Sequence, residues 1–596
     1  MGENATLPAI ASLLFSDTSA ELCYATYYLL SEDKIYFKKK AETYEPRSAS
    51  QVAEIKHQLA VQEQKQKEQQ GFWERIGRAL AGESVQWEDS DRQRLEQIER
   101  YALNPDNPVK LAQDTLAALG RPQTASASFD LLVDLGWWSL HENLFLRRSQ
   151  IPVQFSPKVV EVAQKVVESS SVDEERSRSA QPQASLQESR LDLTHLKVYT
   201  IDDESTQEID DGLSVETLAD GRYRLWVHIA DPTRLLSPGD ELDLEARRRT
   251  TTLYLPTGMI PMFPHQLAAG PMSLVQGQIC YALSFGVILD EAGAVSEYTI
   301  HPTAIKPTYR LTYEDVDEML ELGVEAEPEI ETIYQLAKLR HQWRQSQGSI
   351  SIHMPEASIK VRDDEIVIQV LEDSHARELV AEMMILAGEV GARYAQTHQI
   401  PLPFRSQPQP ELPSEEELLQ IPPGPPRACA VRRCMPRSEM GITPSRHSGL
   451  GLEMYIQVTS PIRRYSDLLA HFQIKAHLRG DELPFSPHKV QEIMQSVTAA
   501  AYEATLVERQ TNRYWGLEYL RRHSDRTWQA MVLRWLREDE DLALVLIEDL
   551  GLELAMRFHR AVVPGEEITI RVSHSDPRQD VIHLREMVTE PSPVAS

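Results

Sequence analysis

The sequence has 596 residues and is strongly acidic, with 61 Lys and Arg against 90 Asp and Glu and a formal net charge of −29. Its length predicts several domains, and its 41% of hydrophobic residues suffices for ordinary globular cores. The negative charge argues against a protein that coats nucleic acid non-specifically, although an enzyme acting on nucleic acid could still carry a local basic groove.

The sequence gives little indication of a membrane span, a targeting peptide or disulfide bonds. No apolar run approaches the roughly 20 residues needed to span a bilayer. The early acids Glu3, Asp17 and Glu21 are unlike a signal or transit peptide. Four cysteines in a chain of this length do not make a disulfide framework. We therefore expect a cytoplasmic protein without membrane contact.

The N-terminal region is predicted to change from β to α structure near residue 50. Two short runs of aromatic and β-branched residues, LCYATYYLL and KIYFKKKAETY, predict a small β-barrel-like unit over residues 1–50. From residue 51, Gln, Lys and Glu surround apolar residues at helical spacing. This pattern predicts a helical connector over residues 51–87.

Residues 88–167 are predicted to form a winged-helix-like domain. DSDRQRLEQIERYAL and VKLAQDTLAALG have helical spacing, and ENLFLRR is strand-like, as expected for a wing. Such a module often binds nucleic acid, and a purely structural helical domain is an equally good interpretation. Residues 168–190 lack aromatic residues and are rich in Ser, Gln and charge, which predicts a flexible linker.

The most informative segment is YTIDDESTQEIDDGLSVE, residues 199–216, where acids alternate with apolar residues that can anchor them to a core. Clustered carboxylates repel one another unless a cation neutralises them, and oxygen ligands without His or Cys suit Mg2+, or Mn2+ as second choice. A turn or strand end must bring them together, because neighbouring strand residues face opposite sides. The plain alternative is an acidic surface loop. The seven acids are Asp202, Asp203, Glu204, Glu208, Asp210, Asp211 and Glu216.

A basic region follows later in the chain. Residues 427–446 hold five arginines against one acid, Glu439. The next motif, TSPIRRYSDLLAH, begins at Thr459 and predicts the start of a helix, and helix N-termini favour phosphate. Arg463 can add bidentate contacts to phosphate oxygens. This region therefore predicts the phosphate-binding half of a site.

The C-terminal residues 526–588 contain five short strand-like runs separated by turns. Five strands suit an OB-type barrel, which is a common platform for single-stranded RNA. The region is acidic for that role, so we expect its contribution to RNA affinity to be weak.

Several motifs occur in a fixed order along the chain. The acidic segment matches TID-x-x-x-T-x-x-IDD-[AG]-L, and IADPT and TTLYLPTGMIPMFPHQL follow it. HSGLGLEMY and TSPIRRYSDLLAH then form a long, gapless match. In these motifs the chain resembles the ribonuclease II/R (RNB) family of exoribonucleases. The resemblance implies an α+β multidomain fold with an RNB catalytic domain over residues 191–523.

The resemblance also implies a chemistry and a set of site residues. It implies a metal-dependent, hydrolytic exoribonuclease that degrades single-stranded RNA from the 3′ end to nucleoside 5′-monophosphates. It implies a monomer without a small-molecule cofactor beyond the metal. By resemblance, the metal ligands are Asp202, Glu208 and Asp211, the catalytic residues are Asp210, Arg463 and Glu508, and the RNA contacts are Tyr254, Arg463, Arg464 and His447.

Four residues leave alternatives open. From the residues alone, Tyr254 is more readily a core residue and His447 a structural one. Glu208 stands where the family usually has Asp, and Ile352 where it often has an aromatic residue. The longer Glu side chain shifts the carboxylate by about one carbon–carbon bond, so we expect reduced or retuned activity. A catalytically impaired RNA-binding protein is the first alternative, and a DNA-binding regulator is the second.

Overall fold

The structure is a computed structural model that describes residues 4–179, 190–371 and 373–587. Its contacts divide the chain into two units, residues 1–148 and 149–596, which are treated separately below. Among the described residues, no helix combines the length and the apolar character needed to cross a membrane. The α+β multidomain architecture expected from the sequence is confirmed.

The first unit combines a small antiparallel sheet with a series of helices. Its strands are β1 (Ala5–Thr6), β2 (Phe37–Lys40) and β3 (Thr43–Pro46), paired in the order β1-β3-β2. Its helices are α1 (Leu7–Phe15), α2 (Ala20–Glu32), α3 (Ala49–Leu80), α4 (Asp89–Leu103), α5 (Lys110–Ala118), α6 (Ala125–Asp134) and α7 (Leu144–Arg148).

Two predicted β segments of this unit are helical. The first, LCYATYYLL, lies in α2, where the buried Thr26 hydroxyl donates to the carbonyl oxygen of Leu22 at 2.8 Å. Packing against α1 thus overrides the β propensity of its aromatic residues. The second, ENLFLRR, forms α7, because the Asn143 side chain caps the helix by accepting from the N–H of Leu146 at 3.0 Å. Of the two runs predicted to form a β-barrel-like unit, only KIYFKKKAETY contains strands, and they pair as the hairpin β2–β3.

The predicted flexible linker is helical in its first part. Helix α8 (Pro157–Ser179) continues through residues 168–179, where neither Pro nor Gly interrupts it. Residues 180–189 of the predicted linker lie outside the described residues.

The second unit is built on a seven-stranded sheet. Its strands are β4 (Leu191–Asp192), β5 (Val198–Ile201), β6 (Asp211–Thr217), β7 (Tyr223–Ala230), β10 (Cys280–Leu289), β11 (Val295–Ile305) and β12 (Pro307–Leu311). Outside this sheet lie two hairpins, β8 (Leu253–Leu255) with β9 (Gly258–Ile260) and β13 (Glu356–Arg362) with β14 (Glu365–Leu371), and the two-stranded antiparallel sheet of β15 (Phe404–Ser406) and β16 (Glu439–Gly441). The order is β12-β5-β6-β7-β10-β11-β4, with parallel pairing only for β12 with β5 and β11 with β4.

Helices cover both faces of this sheet. After α8, the helices of this unit are α9 (Glu241–Arg249), α10 (His265–Ala268), α11 (Tyr313–Leu322), α12 (Pro328–Ser346), α13 (His375–Thr397), α14 (Glu415–Gln420), α15 (Pro425–Cys434), α16 (Tyr465–Arg479) and α17 (Pro487–Arg522). Successive side chains of β7 point to opposite faces of the sheet, and each face has its own hydrophobic core. On one face Val227 and Ile229 pack with α12 and α13. On the other face Trp226 and Ala230 pack with α9, α16 and α17. Burial on both faces fixes the strand register.

The C-terminal region forms the five-stranded sheet expected of an OB-type domain. Its strands are β17 (Thr527–Arg537), β18 (Leu542–Ile547), β19 (Leu552–Arg557), β20 (Glu567–Asp576) and β21 (Val581–Glu586). They pair in the order β19-β18-β17-β20-β21, and the edge strands β19 and β21 also approach each other.

A buried ion pair ties β7 to α16. Just after β7, Asp231 is 1% exposed, and its oxygens accept from Lys475 Nζ at 2.7 and 2.8 Å and from Arg190 Nη2 at 2.8 Å. Burial opposes ionisation, but Lys475 and Arg190 nevertheless hold the pKa of Asp231 below its ordinary value. The end of β7 is therefore fixed to the helix that follows the arginine motif.

We expect Lys475→Met to lower the free energy of unfolding by about 3 kcal/mol, because it removes one partner of a buried charge. Lys489→Met, which breaks a pair with Glu492 on the exposed side of α17, should change it by less than about 0.5 kcal/mol. Urea unfolding measures both values, and equal losses in the two variants would contradict the role given to the buried pair.

Candidate active site

The acidic segment lies at the junction of two central strands. Residues 202–210 form the loop between β5 and β6, so the strand end required by the sequence is present. The Oγ of Ser273 accepts from the N–H of Ile209 at 2.6 Å, and Arg310 Nη2 donates to the carbonyl oxygen of Thr206. These contacts hold the loop against the sheet.

Asp210 and Arg463 form the centre of the site. Asp210 is 3% exposed, and its Oδ1 accepts from the N–H of Ile462 and its Oδ2 from Arg463 Nε, both at 3.0 Å. Burial raises the pKa of Asp210, and the charge of Arg463 is the main opposing effect. The acidic loop and the arginine motif, far apart in sequence, therefore meet as a buried pair.

The three predicted metal ligands carry raised pKa values. Burial, together with the charges of Asp211 and Asp210, raises the pKa of Asp202 to about 8. Burial and the Asp210 charge raise the pKa of Glu208 to about 7 and that of Asp211 to about 7. Both carboxylate oxygens of Glu208 and Oδ2 of Asp202 are buried without a hydrogen-bond partner. Without a bound cation, the ionised form of these carboxyl groups is therefore less favourable in the protein than in water.

The acidic site fits a divalent cation chemically. Buried oxygens without partners, on acids that repel one another, are the donor type that hard cations prefer. Over the described residues, however, no group of three or more His, Cys, Asp or Glu side chains is arranged to hold a metal ion. The charge of Asp210 acts on Asp202, Glu208 and Asp211 alike, so the three carboxylates lie around Asp210.

Tyr254 lies on a hairpin beside this site. Tyr254 is 47% exposed, so the interpretation of Tyr254 as a core residue is wrong. Its N–H donates to Glu508 Oε1 at 2.7 Å, and the hairpin turn is held by a bond from the N–H of Val361 to the carbonyl oxygen of Pro256 at 2.8 Å. Burial raises the pKa of Glu508. In this structure Glu508 therefore positions Tyr254.

The two remaining predicted contacts have structural partners. Arg464 donates from Nε and Nη2 to Asp467 Oδ2 at 3.1 and 2.7 Å. His447 is 9% exposed, its Nδ1 accepts from the N–H of Leu450 at 3.3 Å, and burial lowers its pKa to about 4. Both residues support the loops around the site.

Some residues near the site were not identified from the sequence. Burial raises the pKa of Tyr313 to about 12, and the charge of Asp202 contributes to this rise. The Arg377 guanidinium stacks on the Tyr313 ring at 4.1 Å and donates to Asp203 at 3.1 Å. Arg310, which holds the acidic loop, also lies more than 90 residues from it in sequence. No local pattern marks these residues, because each reaches the site from a different element.

Three family models match the chain. The RNB domain matches residues 190–480, a double helix-turn-helix domain matches 52–144, and the winged helix domain of ribonuclease II matches 1–51. The winged helix thus lies N-terminal to the position inferred from the sequence, 88–167. The β2–β3 hairpin lies within residues 1–51, whereas the segment predicted as the wing, ENLFLRR, forms α7.

Relatives match nearly the whole chain. A Synechocystis protein named "Uncharacterized ribonuclease" is 60% identical over 98% of this chain and 86% of its own. Ribonuclease II, chloroplastic/mitochondrial, of Arabidopsis thaliana is 37% identical over 97% of this chain and 73% of its own. The structure of Mycoplasma genitalium RNase R in complex with ribose-methylated single-stranded RNA shares the fold, with a TM-score of 0.63 at 20% identity over 74% of this chain and 77% of that one. This chain belongs to the ribonuclease II/R (RNB) family.

Proposed function

We propose that this protein is a hydrolytic exoribonuclease that removes nucleotides from the 3′ end of single-stranded RNA. The observation that carries the proposal is the buried Asp210–Arg463 pair, because the charge of Arg463 also acts on the three carboxylates of raised pKa, Asp202, Glu208 and Asp211. The names of its relatives support the same activity, since they include a ribonuclease II and an RNase R bound to single-stranded RNA.

Arg463 and Tyr254 are suited to hold the last nucleotides. Asp210 accepts from Nε of Arg463, whose side chain is 38% exposed, so further guanidinium donors can reach a phosphate. The exposed ring of Tyr254 can stack on the terminal base. Glu508 keeps that ring in place through the backbone of Tyr254. The products would be nucleoside 5′-monophosphates.

We assign the metal as Mg2+, with Mn2+ as second choice. Asp202, Glu208 and Asp211 would hold it, because their buried oxygens are hard ligands. When bound, divalent ions in such sites activate water for attack on phosphorus and neutralise the leaving 3′-oxygen. Asp210 would orient Arg463 toward the same phosphate. The monomeric state and the cytoplasmic location stay predictions.

A catalytically impaired RNA-binding protein is the second candidate. The observation that favours it is Glu208, whose two carboxylate oxygens are buried without a hydrogen-bond partner and whose side chain is longer than the usual family Asp. Against it stand Asp210 and Arg463, whose contact is intact. Hydrolysis of RNA by the wild-type protein decides between the two candidates.

We expect Asp210→Asn to lower exonuclease activity by about 100-fold or more, because it removes the charge that orients Arg463. The measurement is a time course on 5′-labelled single-stranded RNA with Mg2+, where the wild type should shorten the RNA progressively to a small core. Asp220→Asn, on the exposed turn after β6, serves as the matched control. Intact RNA with the wild-type protein, despite a gel shift, would favour the impaired-enzyme alternative.

We expect Glu208→Asp to change the Mg2+ concentration that gives half-maximal activity, because a shorter side chain moves the carboxylate in a site that prefers octahedral geometry. Titration of Mg2+ in the RNA assay measures this value. Glu204→Asp, at an exposed position of the same loop, is the control. If activity and metal dependence are the same in Glu208→Asp and wild type, the geometric effect assigned to Glu208 is absent.

The raised pKa values predict how stability depends on pH in the metal-free protein. Raised pKa values mean that the folded state binds protons more tightly than the unfolded chain, so this contribution is lost as pH rises through about 7 to 8. In the presence of a chelator, the free energy of unfolding should fall from about pH 4, near the ordinary carboxyl pKa values of 3.8 and 4.5, to about pH 8, and Mg2+ should restore it at neutral pH. Glu208→Gln, which cannot titrate, should flatten the slope; an unchanged slope would contradict this assignment.

A further inference from the structure

A strained turn joins helix α9 to the Tyr254 hairpin. Thr250 has φ 64° and ψ −40°, and the N–H of Thr251 donates to the carbonyl oxygen of Arg249 at 2.8 Å. A hydrogen bond from the N–H of one residue to the carbonyl oxygen two residues earlier defines a γ-turn. Because the central residue has a positive φ, this is the rarer and more strained of the two forms of γ-turn. Thr250 is β-branched and 4% exposed, so the turn is buried as well as strained.

The side chain of Thr250 does not compensate for the strain. Its Oγ1 is buried without a hydrogen-bond partner. A buried hydroxyl without a partner costs free energy in addition to the unfavourable backbone. Stability alone would therefore favour glycine here, since glycine adopts positive φ readily. Strained residues of this kind persist where surrounding contacts determine them, and they cluster at functional sites.

The turn joins the hairpin directly to the arginine motif. The N–H of Tyr465 donates to the carbonyl oxygen of Thr250 at 2.9 Å, and the N–H of Thr252 donates to the carbonyl oxygen of Arg463 at 3.0 Å. Thr251 Oγ1 donates to the same oxygen of Arg463 at 3.0 Å. These bonds form a short antiparallel bridge whose two sides carry the predicted phosphate contact and, shortly after the turn, the predicted stacking residue Tyr254.

Both ends of the hairpin are hydrogen-bonded to the residues that flank the turn at Thr250. The N–H of Met262 donates to Thr252 Oγ1 at 3.0 Å, and Arg249 Nη1 donates to the carbonyl oxygen of Pro261 at 3.2 Å. Helix α9 is in turn fixed to the start of α16, because the Tyr465 hydroxyl donates to Asp243 Oδ1 at 2.8 Å. A change of backbone angle at Thr250 would therefore move the hairpin relative to Arg463.

We propose that the γ-turn at Thr250 is a positioning device that sets the spacing between Arg463 and Tyr254, and with it the place where the RNA end stops. The inference deepens the proposed function and rests on its roles for Arg463 and Tyr254. Thr250 is buried and acts through its backbone contacts. The Cβ of Thr250 restricts the turn to a narrow range of angles, whereas glycine would permit many.

The first test measures the hairpin without any RNA. Amide hydrogen exchange of peptides covering residues 253–260 should be faster in Thr250→Gly than in wild type, while Thr250→Ala, which keeps Cβ, should exchange more slowly than the Gly variant. Gln399→Gly, at another positive φ of 54° outside the site, controls for a general effect of added glycine. Equal exchange of this hairpin in Thr250→Gly and wild type would overturn the proposal.

The second test measures RNA shortening. In Thr250→Gly, kcat should fall about tenfold with little change in KM, because small misplacements of reacting groups mainly cost rate. The final RNA fragments should also become more heterogeneous in length, while the urea midpoint stays equal or rises because strain is removed. Thr250→Ala should recover most of kcat.

Other results separate the two proposals. A Thr250→Gly variant with the kcat and fragment lengths of Gln399→Gly would overturn the role of the turn. A lower urea midpoint with unchanged kcat would show a structural role only, and would overturn it as well. If the wild-type protein does not shorten RNA, the proposed function fails, and the exchange experiment still decides whether the turn fixes the hairpin.

Discussion

The contact between Asp210 and Arg463 is the interaction on which the rest of the site depends. It joins groups 253 residues apart, one at a central strand of the sheet and the other just before helix α16. A buried carboxylate is unfavourable alone, and its hydrogen bonds to Ile462 N–H and to the guanidinium offset that cost. Because α16 is also tied to β7 through Asp231 and Lys475, the two halves of the site cannot move independently.

The site keeps carboxylates that destabilise the folded protein. Asp202, Glu208 and Asp211 lie in surroundings that raise their pKa values, and some of their oxygens have no hydrogen-bond partner. A hydrophobic or neutral residue at these positions would stabilise the fold better. The arrangement has a physical rationale if a cation completes it, since binding then provides the interactions that the protein lacks.

The Tyr254 hairpin shows how a short, exposed element is held in place. It has little core of its own, and it is fixed by Glu508 from α17, by Val361 from β13 and by the backbone beside Arg463. Each attachment comes from a different part of the chain. The strained turn at Thr250 connects these attachments to α9, so Arg463 and Tyr254, the proposed phosphate contact and stacking residue, are held in one structural unit.

The sequence determined the chemistry of this protein, and the tertiary structure decided its geometry. Spacing of Asp202, Glu208, Asp210 and Asp211, and the arginine motif, identified the family and the two halves of the site, because both are local patterns. Helical spacing correctly predicted α4 and α5, but local propensity failed for α2, which packs against α1, and for α7, which the Asn143 side chain caps. The roles of Tyr313, Arg310 and Thr250, and the structural partners of Arg464 and His447, depend on contacts between residues distant in sequence, which no local pattern encodes.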